Sequence, residues 1–296
     1  MILRQAILGG LGIAAAATIN RRGEAGTARA ASAGDGSAAI AAIEQRNGGR
    51  LGVFVLDTGS GRTLSHRADE RFLLASTFKG PLAAAALARV DAGRDALGSR
   101  IRIAPADLLP ASPVTQSHLA RGFLTVGDAC AAILERSDNA AANLLMRRVG
   151  GPAAATAFIR RAGDDATRID RYELVEGWSG DKDTTTPRAI TLLNRALLLG
   201  DVLRPASRTR LLDWMRGNIN GRERLRGGLP AGWQGADRTG TDHGICNDYA
   251  IVWPPNRPPL LVSAYHDRPD FSFEQTMEIQ QRVLREVGAA VAAWAA

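Results

Sequence analysis

The chain has 296 residues, 45% hydrophobic and 23% charged, with a formal net charge of +7. That is enough for one large domain or two interlocked ones, with a core that needs neither metal nor disulfide. No basic cluster with interleaved aromatics is present, which argues against a nucleic-acid partner. The histidines, His66, His118, His243 and His266, are scattered without ligand spacing, which disfavours metal hydrolysis, and no cofactor is expected.

Residues 1–33 read as an export signal. Arg4 precedes an apolar run to Ala17 that ends in small-residue sites such as Ala28-Arg-Ala30 or Ala31-Ser-Ala33. The run is too short to span a bilayer. Its removal lowers the net charge to about +4, a modest excess. Leu3-Arg4-Gln5 is similar to a twin-arginine signal lacking its first arginine, so the route is open between that and the general secretory one. A periplasmic or secreted monomer is expected, free of the membrane once the signal is gone. Cys130 and Cys246 sit in contexts that give a disulfide no local support and read as separate buried thiols.

Gly34 to Ser37 reads as a linker and Ala38 to Arg46 as a first helix. Arg50 to Leu56 and Arg62 to His66 then form a hairpin around Thr58-Gly-Ser-Gly61. From the stretch beginning at Phe72 the pattern is almost wholly helical to about Gly200, and Pro205 to Arg216 is amphipathic. Strand patterns return at Trp233 to Arg238, Asn247 to Trp253 and Pro259 to His266, and Phe271 to Ala295 closes as a long helix. Strands at both ends imply a mixed α/β domain built from 34–70 and 205–296. An all-helical domain, 71–204, is inserted between them, and the cleft is the expected place for a site.

Phe72-Leu-Leu-Ala-Ser-Thr-Phe-Lys79 delivers Ser76 and Lys79 to a helix head, one turn apart and within mutual reach. The helix start also directs unpaired N–H groups and a positive dipole end at charge developing on Ser76. Lys79 and Lys182 are the only lysines in a chain that otherwise uses arginine. Arginine cannot release its proton, whereas a desolvated lysine can. Ser179-Gly-Asp-Lys182 repeats the spacing in a Gly/Asp-rich loop without helical geometry.

Arg136-Ser-Asp-Asn139 reads first as a helix N-cap. Its second reading makes Ser137 a hydroxyl that passes a proton and Asn139 an amide that bonds Lys79 and a substrate carbonyl. Asp170-Arg-Tyr-Glu173 through Asp183 is a polar loop that an Arg171–Asp183 ion pair would pin, and Glu173 could act as a general base on water. Ala236 to Thr241 ends a strand. At a cleft edge, Arg238 with the hydroxyls of Thr239 and Thr241 would bind a carboxylate, with Arg224 and Arg226 as further candidates.

Taken together, Ser76-Thr-Phe-Lys79, Ser137-Asp-Asn139, Arg171-Tyr-Glu173 and Arg238-Thr-Gly240 resemble, in order and spacing, the motif set of class A serine β-lactamases. The likeness extends through Ser112-Pro-Val-Thr115, Thr184-Thr-Thr-Pro187 and Asn247 to Pro254. It implies the two-domain α+β fold of serine β-lactamases and transpeptidases, with an antiparallel five-stranded sheet. It also implies opening of penicillins or cephalosporins through a Ser76 acyl-enzyme, and β-lactam resistance. Backbone N–H groups of Ser76 and Thr241 would form the oxyanion hole. Lys79, or Glu173 through water, would accept the serine proton. Ser137 would pass a proton to the ring nitrogen, and Glu173 would activate the hydrolytic water. Asn139 would hold the acylamino group, with Arg238, Thr239, Gly240, Thr241 and Arg224 around the carboxylate.

Three departures stand out. Arg238 replaces the usual lysine, Ala111 replaces an aromatic at the cleft entrance, and Leu174-Val-Glu-Gly177 replaces Pro-x-Leu-Asn in a shorter loop. The last leaves open a D-Ala-D-Ala peptidase or a penicillin-binding protein that deacylates slowly.

Overall fold

The structure is a computed structural model that describes residues 33–175 and 177–296. The expected export signal, apart from Ala33, lies outside the described residues.

Helix α1 (Ala33–Asn47) takes in the stretch expected as a linker. The small side chains there serve packing: a Cβ on Gly36 would fall 2.6 Å from both Leu64 and Trp294, so only glycine allows that approach. Strands β1 (Arg50–Asp57) and β2 (Thr63–His66) pair antiparallel, with Val53 opposite His66. The Asp57 side chain closes their turn by accepting from Gly59 N (2.9 Å) and Ser60 Oγ (2.8 Å).

The central segment is less purely helical than its sequence pattern. Strand β3 (Phe72–Leu73) leads into a 3₁₀ turn, Ala75–Phe78, and α2 (Lys79–Asp91). Then follow β4 (Arg100–Arg102), α3 (Pro113–Ser117), β5 (Phe123–Thr125), α4 (Val126–Glu135), α5 (Asn139–Val149) and α6 (Pro152–Arg161). Strand β6 (Thr184–Thr185) pairs with β3 and β4 pairs with β5, two short ladders that tie the loops down. Polar residues open α4, α5 and the helix after β6: Thr125 accepts from Asp128 N, Asp138 from Ala141 N, and Thr186 from Ala189 N.

Helix α7 (Pro187–Leu198), expected within the helical part, lies against the sheet: Thr191 Oγ1 donates to Ser263 Oγ (2.8 Å), which donates on to Pro187 O (2.7 Å). Helix α8 (Pro205–Arg216) precedes β7 (Gln234–Asp242), β8 (Ile245–Trp253) and β9 (Leu260–Asp267). Strand β7 carries Arg238-Thr-Gly-Thr241 and ends at Asp242, just before a turn, four residues beyond the Arg238 limit expected from the strand pattern. The last helical segment is α9 (Phe273–Gln275), a π turn at Thr276–Gln280, and α10 (Gln281–Ala295).

The sheet order is β2-β1-β9-β8-β7, all antiparallel, so the chain's first strand sits beside its last and β7 forms an edge. Alternation along β1 separates two cores. Leu51, Val53 and Val55 face α1 and α10 with Ile40, Val283 and Val287, while Phe54 and Leu56 join the helical side with Leu82, Ile133 and Leu145. This is the five-stranded α+β architecture that the sequence motifs imply. The Ser76 turn lies on the helical side of the sheet, where Leu74 and Phe78 join that core, and packs against β7.

Candidate active site

Ser76 sits on a turn clamped from several sides. Phe72, Leu73 and Leu74 are fully buried, which fixes the approach. Ala75 then adopts φ 43°, a conformation unfavourable for a residue with a Cβ, and the chain reverses. Thr77 N returns to Leu74 O (3.1 Å), Asn247 Nδ2 donates to Leu73 O (2.8 Å), and Tyr265 OH donates to Thr77 Oγ1 (3.0 Å). Gly240 brings β7 against this turn: a Cβ there would lie 2.7 Å from Leu74 O and 3.1 Å from Thr77 N. Ser76 therefore precedes α2 in the 3₁₀ turn, and Lys79 is the helix's first residue.

Lys79 is the hub. Its side chain is fully buried, and Nζ donates to Ser76 Oγ (2.9 Å), Ser137 O (2.9 Å) and Asn139 Oδ1 (2.5 Å). Ser137 Oγ (3.3 Å) and Glu173 Oε1 (3.2 Å) are also within reach. Burial outweighs the attraction of Glu173, and the nearby Arg238 charge adds to it. Together they lower the Lys79 amine to a pKa of about 8.

Ser137 also has positive φ, 59°, and so turns both its carbonyl and its hydroxyl toward Nζ. The cap reading of this stretch is met at Asp138. Asp138 caps α5 and also accepts from Thr115 N (2.9 Å) and Thr115 Oγ1 (2.7 Å), while Asn139 Nδ2 donates to Pro110 O (3.0 Å). The exposed Ala111 accepts from Asn139 N (3.2 Å), so the cleft entrance is joined to the head of α5.

On the opposite wall, fully buried Arg238 donates from Nη2 to Ser137 Oγ (2.7 Å) and from Nη1 to Thr239 Oγ1 (3.3 Å). Burial lowers its pKa to about 10, leaving it cationic at neutral pH. Arg224 reaches Gly240 O (2.9 Å), Asn247 O (2.8 Å) and Thr241 Oγ1 (2.5 Å), and so stands behind β7. Arg226 turns away from the cleft to pair with Asp237 (3.0 Å). Lys182 is exposed on a turn.

The Arg171–Asp183 ion pair forms at 2.5 Å and pins the loop that carries Glu173. Asn143, within α5, is a further member of the site that no motif above names. Its Oδ1 accepts from Glu173 N (2.8 Å) and its Nδ2 donates to Glu173 O (2.7 Å), bracketing one backbone unit. The i, i+4 spacing from Asn139 is the signal that places both amides on one face of α5.

These groups open on a cavity of about 910 Å³ whose lining includes Ser76, Asn139, Glu173, Leu174 and Thr241. That is room for a drug-sized ligand. A hydroxyl beside a buried amine of lowered pKa, with a carboxylate in reach, is an arrangement that suits serine acyl transfer.

Comparison with known proteins agrees. Residues 36–294 match the family described as "Beta-lactamase enzyme family". The carbapenem-hydrolyzing β-lactamase KPC of Klebsiella oxytoca is 45% identical over 236 residues, spanning 78% of this chain and 80% of its own. A β-lactamase of Streptomyces fradiae is 44% identical over 275 residues, 90% of this chain and 89% of its own. A β-lactamase crystal structure from Burkholderia vietnamiensis is similar at TM-score 0.85 and 51% identity, covering 88% of this chain and 96% of its own. An ancestral class A β-lactamase matches at TM-score 0.82 and 48% identity, over 87% and 99%. The chain belongs to class A of the β-lactamase enzyme family, the serine hydrolases of β-lactams.

Proposed function

We propose that the Ser76 hydroxyl opens the β-lactam amide and that water recruited by Glu173 releases the product. The observation that carries this reading is the set of contacts around Lys79 Nζ, which joins Ser76 Oγ, Ser137 and Glu173 in one buried network. Neutral Lys79 takes the serine proton as Oγ bonds to the carbonyl carbon. The negative charge passes to the carbonyl oxygen, met by the N–H groups of Ser76 and Thr241. Thr241 lies on the edge strand, where alternate N–H groups stand outside the ladder. As the tetrahedral centre collapses, the carbon–nitrogen bond breaks. Lys79 returns its proton through Ser137 Oγ to the departing nitrogen, leaving the Ser76 ester. Glu173 then takes a proton from water, the hydroxide attacks the ester, and Ser76 regains its proton.

Arg238, Thr239 and Thr241 hold the substrate carboxylate, with Arg224 fixing the Thr241 hydroxyl. The Asn139 amide faces the acylamino group with the N–H that Pro110 leaves over. Glu173 favours turnover over a stalled acyl-enzyme, since a peptidase or an acylated trap has no need of that carboxylate. We also infer export on the segment 1–33 and a monomeric protein. No helix among the described residues is long and apolar enough to cross a membrane.

The test is a stopped-flow time course with a chromogenic cephalosporin, followed by intact mass. The unmutated protein turns over many equivalents, and Ser76→Ala turns over none. Glu173→Ala releases a burst of one equivalent and keeps the acyl mass. A stable adduct on the unmutated protein would overturn the hydrolytic half of the mechanism.

A further inference from the structure

Arg238 is a fully buried cation whose own hydrogen bonds hold it loosely. Nη2 reaches Ser137 Oγ at 2.7 Å and Nη1 reaches Thr239 Oγ1 at 3.3 Å, both neutral hydroxyls, and Nε has no hydrogen-bond partner among the described residues. The placement of such a group rests on what packs against its stem.

The side chain beside it is Tyr249, which pairs with Arg238 across the β7–β8 ladder and is 2% exposed. Paired residues of antiparallel strands project to the same face of the sheet, so the ring and the arginine stem lie side by side. Both meet α2 at one point. A Cβ on Gly80 would fall 1.7 Å from the Tyr249 hydroxyl oxygen, 3.1 Å from its Cζ and 3.9 Å from Arg238 Cγ. Gly80 follows Lys79 in the first turn of α2, and its backbone is not left-handed. Helices disfavour glycine, so the reason for it here is room for the phenol. Burial raises the Tyr249 pKa, so the phenol keeps its proton at working pH and acts through its shape.

We propose that Tyr249 is a positioning residue for Arg238: its ring, seated on the Gly80 backbone, fills the space beside the arginine stem and holds the guanidinium at Ser137, facing the substrate carboxylate. The inference rests on the reading of Arg238 as a group that holds that carboxylate. Gly80 and Tyr249 then work as a pair, since the space that glycine leaves is the space the phenol takes. A side chain at position 80 displaces the ring, and the guanidinium moves with it.

The experiment compares a cephalosporin with its methyl ester on the unmutated enzyme, Gly80→Ala, Tyr249→Phe and the double variant. In the unmutated enzyme kcat/KM for the acid exceeds that for the ester by about ten- to a hundredfold, mostly through KM, as a charge-assisted contact would give. Gly80→Ala brings the ratio near one by raising KM for the acid. Tyr249→Phe keeps the ring and leaves the ratio near its unmutated value. Added to Gly80→Ala, it restores most of the ratio, because it removes the oxygen that the new Cβ would strike. Both substrates are measured on the same enzyme, so loss of folded protein cancels.

A ratio that Gly80→Ala leaves unchanged, with kcat lowered equally for acid and ester, overturns the proposal, because the disturbance then acts on Lys79 and Ser76. A double variant no better than Gly80→Ala overturns it too. If Gly80→Ala does not fold, Tyr249→Leu removes the ring instead: its ratio drops toward one if Tyr249 positions Arg238 and stays at the unmutated value if the tyrosine only fills the core. Preference for the acid that every variant keeps sinks the Tyr249 role alone. Equal turnover of acid and ester by the unmutated enzyme sinks the reading of Arg238 and the proposal with it.

Discussion

At Lys79 two physical effects compete. Fully enclosed, the amine loses the water that would hold its charge, while Glu173 offers a counter-charge at 3.2 Å. Burial wins, and a pKa of about 8 leaves roughly a tenth of the enzyme with a neutral amine at pH 7. Only the neutral form can accept the Ser76 proton, so the acylation rate should climb from pH 6 and level off above about pH 8. Arg238 contributes to the lowering, so Arg238→Gln should move the midpoint of that profile to higher pH. Lys79→Arg keeps the charge without an exchangeable proton, and acylation should drop by about 10²- to 10⁴-fold. Pre-steady-state bursts across pH measure both effects. A rate flat from pH 6 to 9 would pass the proton-acceptor role from Lys79 to Glu173.

At the scale of elements, α5 joins the two halves of the proposed reaction: Asn139 at its head meets Lys79, and Asn143 one turn later holds the Glu173 backbone. Removing the second contact should spare acylation and slow hydrolysis of the ester. Asn143→Ala is expected to cut the deacylation rate about 100-fold, the scale of a misplaced catalytic group, while leaving the burst rate near normal. Equal losses in both steps would show that Asn143 supports the whole site.

The legibility of the sequence follows the same division. Periodicity showed the five sheet strands and most of the long helices, and the spacing of polar residues named the groups around Lys79, because those signals are local. Gly36 reads locally as linker because the reason for it, Leu64 and Trp294, lies far away in the chain. Asn143 was hidden by its ordinary place in a helix, and the Asp267 contact with Arg50 depends on β1 pairing with β9. Long-range pairing of that kind leaves no periodic trace.

Across the whole molecule, charge is stored inside as well as at the site. Cys130 and Cys246 are separate buried thiols, so no cross-link contributes to stability. Asp248, on β8 opposite Thr239, is fully buried, its Oδ2 accepting from Leu225 N (3.3 Å) and its Oδ1 without a partner among the described residues. Burial raises its pKa well above the usual carboxylate range, and the neighbouring Asp237 adds to this against the opposing pull of Arg224 and Arg226. Between the unfolded value of about 4 and that raised folded value, the native state holds a proton that the unfolded chain has lost. Stability therefore falls as pH rises through this window, by about 1.4 kcal/mol per pH unit for each such proton. The carboxylates with lowered values, Asp57, Asp69 and Asp95, act in the opposite sense, but lose their contribution only as pH falls below the unfolded value. Over pH 5 to 8 those lowered carboxylates add little slope, while His266, lowered by burial, adds one opposite in sign to that of Asp248 in both proteins, so the comparison with a variant isolates Asp248. Asp248→Asn keeps the acceptor for Leu225 N and removes the titration, so its stability curve should fall less steeply with pH than that of the unmutated protein. Asp237 and Asp267, also raised by burial, keep some slope in both. Urea unfolding at pH 5, 6.5 and 8 measures the difference, and parallel curves for the two proteins would mean that Asp248 is already ionised in the folded state.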